Sequence, residues 1–247
     1  MAALPRGFMG LTPVVKNLIM INLFMFLATI TVQNVAEIRL SQVLGLHFPA
    51  SEMFRPYQTV THIFMHGGFA HLFMNMFVLF MFGRMLEYVW GPKRFFTFYM
   101  VCGLGAALVH LGVIAIQYNR VMAEITPVQL QGVLDHGRDY FNNNMVFSDP
   151  VMKRLQLILY TPTVGASGAI FGLLMAYGML FPNTQIMLLF PPIPMKAKYF
   201  VLALIGLELY LAVTRPGSNI AHAAHLGGML FGYLLLRIWK KTSKTLY

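Results

Sequence analysis

Four side chains in this sequence are of the types that acyl-transfer chemistry needs: Ser167, His225, His71 and Asn75. A serine hydroxyl becomes a competent nucleophile when an imidazole takes its proton, which requires the two groups within hydrogen-bond reach. The oxyanion formed by the attack then needs donors aimed at it, either backbone N–H groups or an Asn or His side chain. His71 and Asn75 are four residues apart, so on a helix they share one face. Ser167 opens an apolar run, and the first N–H groups of a helix have no internal partner, so the same segment supplies a backbone donor. Taken alone, a serine bonded to a backbone carbonyl at a helix interface is the plainer reading of Ser167. His222, three residues before His225, is a competing base.

The elements that carry these residues are apolar. Of 247 residues, 57% are hydrophobic and 11% charged, against about 25% charged in a soluble domain. Six stretches approach the roughly 20 residues that cross a bilayer: 15–36, 68–90, 95–117, 166–181, 197–214 and 221–240. The chain therefore reads as one all-α membrane domain over 1–247, a polytopic bundle of six transmembrane helices. The connections 37–67 and 118–160 are too long for turns; the first mixes apolar and polar residues like an interfacial segment. The second, with Asn142-Asn143-Asn144 and Asp149-Pro150, reads as an insertion capping one face. Spans two, four and six run in the same direction, so His71, Asn75, Ser167 and His225 reach similar depth just inside the outer face. Gly168, Gly172 and Ala176 recur every fourth residue on span four, as do Ala224, Gly228 and Gly232 on span six. Small residues at that spacing let two helix backbones meet.

The net charge is +10, from 18 Lys and Arg against 8 Asp and Glu, a balance that suits nucleic acid or an anionic membrane. Eleven of the basic residues fall in the inner segments beside Glu87 alone, whereas the outer segments pair seven with six acids. That asymmetry is the positive-inside pattern, which places both termini in the cytoplasm and makes the charge an orientation signal, with no nucleic-acid partner. Cys102 is the sole cysteine, so no intrachain disulfide forms, and no Cys/His spacing resembles a zinc site. Neither a metal nor an organic cofactor is expected. An acid to orient the histidine is harder to find. Glu87 lies 16 residues from His71, roughly 24 Å along a helix and at the opposite membrane face. Glu208 on span five has a compatible depth but reads as a structural or loop-gating residue, so a Ser-His dyad is the simplest arrangement. A channel or transporter would need a polar path across the membrane, and the inner half is rich in Phe, Met and Leu.

These residues stand in motifs that resemble those of rhomboid intramembrane serine proteases. Gly165-Ala166-Ser167-Gly168 is similar to their GxSG, and Ala224-His225-Leu226-Gly227-Gly228 with Gly232 to their AHxxGxxxG. His66 to Asn75 resembles HxxxxHxxxN, and Gly83, Glu87 and Gly91 resemble GxxxExxxG. The resemblance implies a six-helix core of the bacterial type and cleavage of peptide bonds in or next to transmembrane helices. Ser167 is then the nucleophile and His225 the base, with His71, Asn75 and the Ser167 N–H as oxyanion donors. Phe171 takes the place of an aromatic stacked on the imidazole. His62 and His66 correspond to loop anchors and Glu87 to a helix-end hydrogen-bonding residue. The partners implied are the lipid bilayer and the transmembrane segments of substrates, and the location a bacterial inner membrane. A catalytically inactive relative that binds membrane helices is the alternative. Two features depart from the pattern: Tyr57-Gln58 stands where some members have Trp-Arg, and the 118–160 connection exceeds what the compact core needs.

Overall fold

Each apolar run of the sequence is helical. The computed structural model describes residues 10–187, 192–214 and 222–242; Arg6, Arg215 and Lys244, which enter the charge asymmetry, lie outside the described residues. The first run is α1 (Pro13–Ala36). The second begins as α4 (Phe69–Val78), passes through a π-helical turn at Leu79–Gly83 and continues as α5 (Arg84–Trp90). The others are α6 (Pro92–Glu124), α9 (Ser167–Leu180), α10 (Ala197–Thr214) and α11 (His222–Thr242). Four of these, counting Phe69–Trp90 as one, are long and apolar enough to cross a membrane by themselves: α1, Phe69–Trp90, α6 and α10. A short antiparallel pair, Gln185–Met187 with Pro194–Lys196, precedes α10.

Three helices form the centre, with α11 packed on both α6 and α9, and α6 packed on α9. Phe95, Phe98, Tyr99 and Cys102 of α6 are buried with Ala169, Ile170 and Leu173 of α9. On α5 Glu87 closes the start of α1: its carboxylate accepts from the N–H groups of Val14 (2.9 Å) and Val15 (2.8 Å) and from the Thr12 hydroxyl. Those are the orphan donors of a helix N-terminus, so a buried acid there is satisfied rather than stranded.

The two long connections are built, not loose. The apolar signal of the third run stops at residue 117, but the helix goes on to Glu124, because Tyr118 to Glu124 contains neither Gly nor Pro. It ends where Thr126-Pro127 forces extended backbone. Thr126 and Gln129 then form a reciprocal capping box for α7 (Pro127–Asn142), and Asp149 accepts from the Val151 and Met152 N–H groups to start α8 (Pro150–Tyr160). Both helices carry Pro in the first turn, where its missing N–H costs nothing. The expected insertion at 118–160 is thus a helix extension plus a helical hairpin with its own core, Val121, Val133, Leu155, Leu159 and Tyr160.

Segment 37–67 holds α2 (Leu40–Leu44), α3 (Gln58–Thr61) and a tight turn at His62–Phe64. Its irregular backbone is organised by Gln58, which is 1% exposed. The Gln58 amide oxygen accepts from the N–H groups of His47 and Arg55, and its NH2 donates to the carbonyls of Val43 and Met53. Gln58 therefore fixes this loop at the position where the Trp-Arg pair is missing.

Candidate active site

The site is set by how short α9 is. Its 14 residues span about 21 Å, well under the roughly 30 Å of a hydrocarbon core, so α9 is too short to cross one by itself. The polar groups of the irregular stretch that precedes it, where shielded from water, must be satisfied by protein. They are: Leu46 and Thr163 exchange N–H to carbonyl bonds, the Gly165 N–H donates to the His62 carbonyl, and the Thr163 hydroxyl lies 2.9 Å from His110 Nε2. His110 is a site residue that the sequence reading omitted, although an ionisable side chain within the third apolar run was itself the signal.

The small residues bring α9 and α11 into backbone contact. A Cβ built on Gly228 would lie 1.8 Å from the Gly168 carbonyl oxygen, and one on Gly232 would lie 3.0 Å from that of Gly172. At the N-terminal end of this crossing, Ser167 Oγ is 2.9 Å from His225 Nε2. One turn further along α9, the Phe171 ring stacks on the imidazole, with centroids 4.0 Å apart and planes 7° from parallel.

Behind the histidine is an acid. Glu208 of α10 is 6% exposed; its Oε1 lies 3.0 Å from His225 Nδ1 and its Oε2 lies 2.6 Å from His222 Nδ1. Glu208, expected as a structural or loop-gating residue beside a Ser-His dyad, is brought by the structure against both His225 and His222. Depth along a helix was legible in the sequence, but the rotation of α10 that turns Glu208 toward α11 was not. The contact also separates the two candidate bases: it is His225 that meets Ser167, whereas the bond of His222 goes to Glu208. A carboxylate only accepts, so each ring donates from Nδ1, and Nε2 of His225 is left as the acceptor for the serine proton. Glu208, His222 and His225 also offer ligand atoms within 4.8 Å of one another, donor types that suit zinc. In the observed geometry both Nδ1 atoms are already engaged by the carboxylate.

On the other side of Ser167, Gly165 has φ +129° and a Cβ there would lie 2.8 Å from His71 Cε1, 2.9 Å from His71 Nε2 and 3.6 Å from Ser167 Oγ. The His71 ring and the serine hydroxyl therefore flank the same bare backbone. One turn along α4, Asn75 is buried and its Nδ2 has no partner among the described residues. An amide donor left free at the level of a nucleophile is what an oxyanion requires. His66 packs edge-on to His71 at 5.1 Å. Burial, with the nearby His71 as a second cause, lowers the His66 pKa to about 4, and burial does the same for His62. A cavity of about 20 Å³ opens beside Ser167 between His62, Thr163, Gly168 and Ala224, enough for one water molecule.

Comparison with known proteins identifies the family of the chain. The sequence profile of the Rhomboid domain family matches residues 53–241. The chain is 30% identical over 171 residues to Rhomboid protein 1, mitochondrial, of Saccharomyces cerevisiae, covering 69% of this chain and 38% of that protein. It is 29% identical over 174 residues to RHOMBOID-like protein 12, mitochondrial, of Arabidopsis thaliana (70% and 44%). It is 25% identical over 178 residues to Rhomboid protease AarA of Providencia stuartii (69% and 51%). The chain thus matches about half or less of the length of these relatives.

Proposed function

Because this chain belongs to the rhomboid family, an integral multi-pass membrane protein with its polar cluster below one face, we propose that it is an intramembrane serine endopeptidase. The observation that carries the proposal is the 2.9 Å contact between Ser167 Oγ and His225 Nε2 at the start of a short helix. In this reaction Ser167 Oγ attacks the scissile carbonyl while its proton passes to His225 Nε2. The oxyanion is held by the Ser167 N–H, Asn75 Nδ2 and His71. His225 then returns the proton to the departing amine, and a water molecule hydrolyses the acyl-enzyme with the same imidazole as base. The chemistry requires no metal or organic cofactor.

The substrates that suit such a site are transmembrane segments. A membrane helix hides its carbonyls in internal hydrogen bonds, so cleavage requires local unwinding, favoured by Gly, Pro or small polar residues near the bond. With both termini inside, as the charge asymmetry supports, cleavage falls near the outer leaflet and the product leaves away from the cytoplasm. One similar protein is from a bacterium, Providencia stuartii, whereas three are named as mitochondrial, so the setting proposed from the charge pattern is a bacterial-type inner membrane. An inactive, helix-binding relative is the weaker reading, since its nucleophile and base would have no reason to remain in contact.

The test uses detergent-purified protein, a transmembrane reporter and a serine-directed fluorophosphonate. The parent protein is expected to cleave and to take the label, and Ser167→Ala to do neither. Cleavage and labelling that persist in Ser167→Ala would refute the assignment.

A further inference from the structure

The carboxylate of Glu208 divides its two oxygens between two imidazoles, Oε1 to His225 and Oε2 to His222, with all three residues buried or nearly so. His222 and His225 are three apart on α11, so both project toward α10, and their rings meet edge to face at 6.3 Å and 89°. Glu208 is therefore clamped from two directions, a geometry that leaves neither the carboxylate nor the His225 ring free to rotate. Resting on the serine-protease reading above, we propose that Glu208 is a positioning residue that completes a Ser167–His225–Glu208 triad, with His222 as the strut that holds Glu208 in place.

The physical role follows from the donor inventory. An ionised carboxylate on Nδ1 forces the tautomer in which Nε2 is bare, the only one that can accept the serine proton. As that proton arrives, the ring becomes an imidazolium 3.0 Å from a negative oxygen, and the attraction is greater in the charge-separated transition state than in the ground state. An interaction of that kind raises kcat and leaves substrate affinity alone. A carboxylate serving only to fasten α10 to α11 would instead act on stability. Other titratable side chains beside the Ser167 segment are His71 from α4 and His110 from α6. Neither is an acid, so among these groups only Glu208 offers a negative charge.

The experiment compares the full-length parent with Glu208→Gln, Glu208→Asp and His222→Phe in detergent. It measures kcat and KM on a transmembrane reporter, the rate of fluorophosphonate labelling and the thermal midpoint. Glu208→Gln keeps the shape but loses the charge, and its amide can drive His225 into the wrong tautomer. We expect kcat and the labelling rate to fall by 100-fold or more with KM within about twofold. Glu208→Asp, which restores the charge at longer reach, recovers at least tenfold of that loss, and His222→Phe loses about three- to tenfold. A folded Glu208→Gln protein with parental kcat, or one in which Glu208→Asp gives no recovery, overturns the positioning role. If Glu208→Gln does not fold, the folded His222→Phe protein decides: kcat lowered at constant KM supports the role, and parental kcat with only a lowered thermal midpoint overturns it. A parent that neither cleaves nor labels refutes the protease reading itself, and the triad with it.

Discussion

Gly228 of α11 and Gly168 of α9 are so close that a methyl group on Gly228 would stand 1.8 Å from the Gly168 carbonyl oxygen. The obstacle is backbone, so no side chain can swing away and the two helices must part. Ser167 immediately precedes Gly168, and His225 lies three residues before Gly228. Separation at the glycines is therefore transmitted directly to the hydroxyl–imidazole bond. Gly228→Ala is expected to lower the thermal midpoint in detergent by several degrees and to reduce cleavage at least 100-fold, since about 1 Å of misplacement can cost that much. Gly206→Ala on α10, where the added carbon meets nothing within 4 Å, retains both properties. Equal behaviour of the two variants would sink the argument.

Asn75 tests the oxyanion group. Its Nδ2 is buried without a partner among the described residues, a donor whose bond would be made as negative charge develops. Removing one such donor typically costs about 100- to 1,000-fold in kcat. Asn75→Ala should show a loss of that size with little change in KM. Its thermal midpoint should stay near or above that of the parent, because an unsatisfied buried amide is removed. A fall in stability with unchanged kcat would make Asn75 a packing residue instead.

The parts of the site that were legible in the sequence share one property: their partners lie at a fixed offset along the same helix or follow from helix depth. His71 and Asn75 share a face because they are four apart, and the glycine ridges announced the α9–α11 crossing without coordinates. The contact of Glu208 with His225 was not legible because depth says nothing of rotation, and apart from Glu208 the middle of α10 is apolar all round. Gln58 was hidden for another reason. Its four hydrogen bonds run to backbone groups of an irregular loop, and no sequence spacing encodes those. The α7–α8 hairpin escaped because its residues are too polar to read as a span, while its helix signals, Thr126-Pro127 and Asp149-Pro150, are local caps that a search for apolar runs passes over.

Gly165 links loop conformation to chemistry. Its φ of +129° is costly for any residue with a side chain, and a methyl group there would also strike the His71 ring at 2.8 Å. Gly165→Ala should thus move His71 or Ser167 away from the reacting position while α9 and its core stay intact. The expected result is a drop of at least tenfold in fluorophosphonate labelling, with a thermal midpoint within a few degrees of the parent. Labelling at the parental rate would show that the loop relaxes without disturbing the site.

The histidines of the loop before α4 predict how stability responds to acid. His62 and His66 are buried, and burial lowers both from an ordinary 6.5 to about 4. Above pH 6.5 the folded and unfolded chains are both neutral at these positions, and the stabilisation is fully present. As pH falls from 6.5 toward 4, the unfolded chain takes up protons that the folded chain refuses, so stability is lost across that window, with a limiting slope of about 1.4 kcal/mol per pH unit for each ring. Below about 4 the folded rings protonate as well and the slope flattens. Thermal midpoints in detergent should therefore fall steadily between pH 6.5 and 4.5. His66→Phe removes one of the two buried rings while keeping an aromatic side chain in the same place, and it should make the fall shallower. A midpoint that stays level across this range, or a His66→Phe protein as acid-sensitive as the parent, would rule out these buried rings as the source.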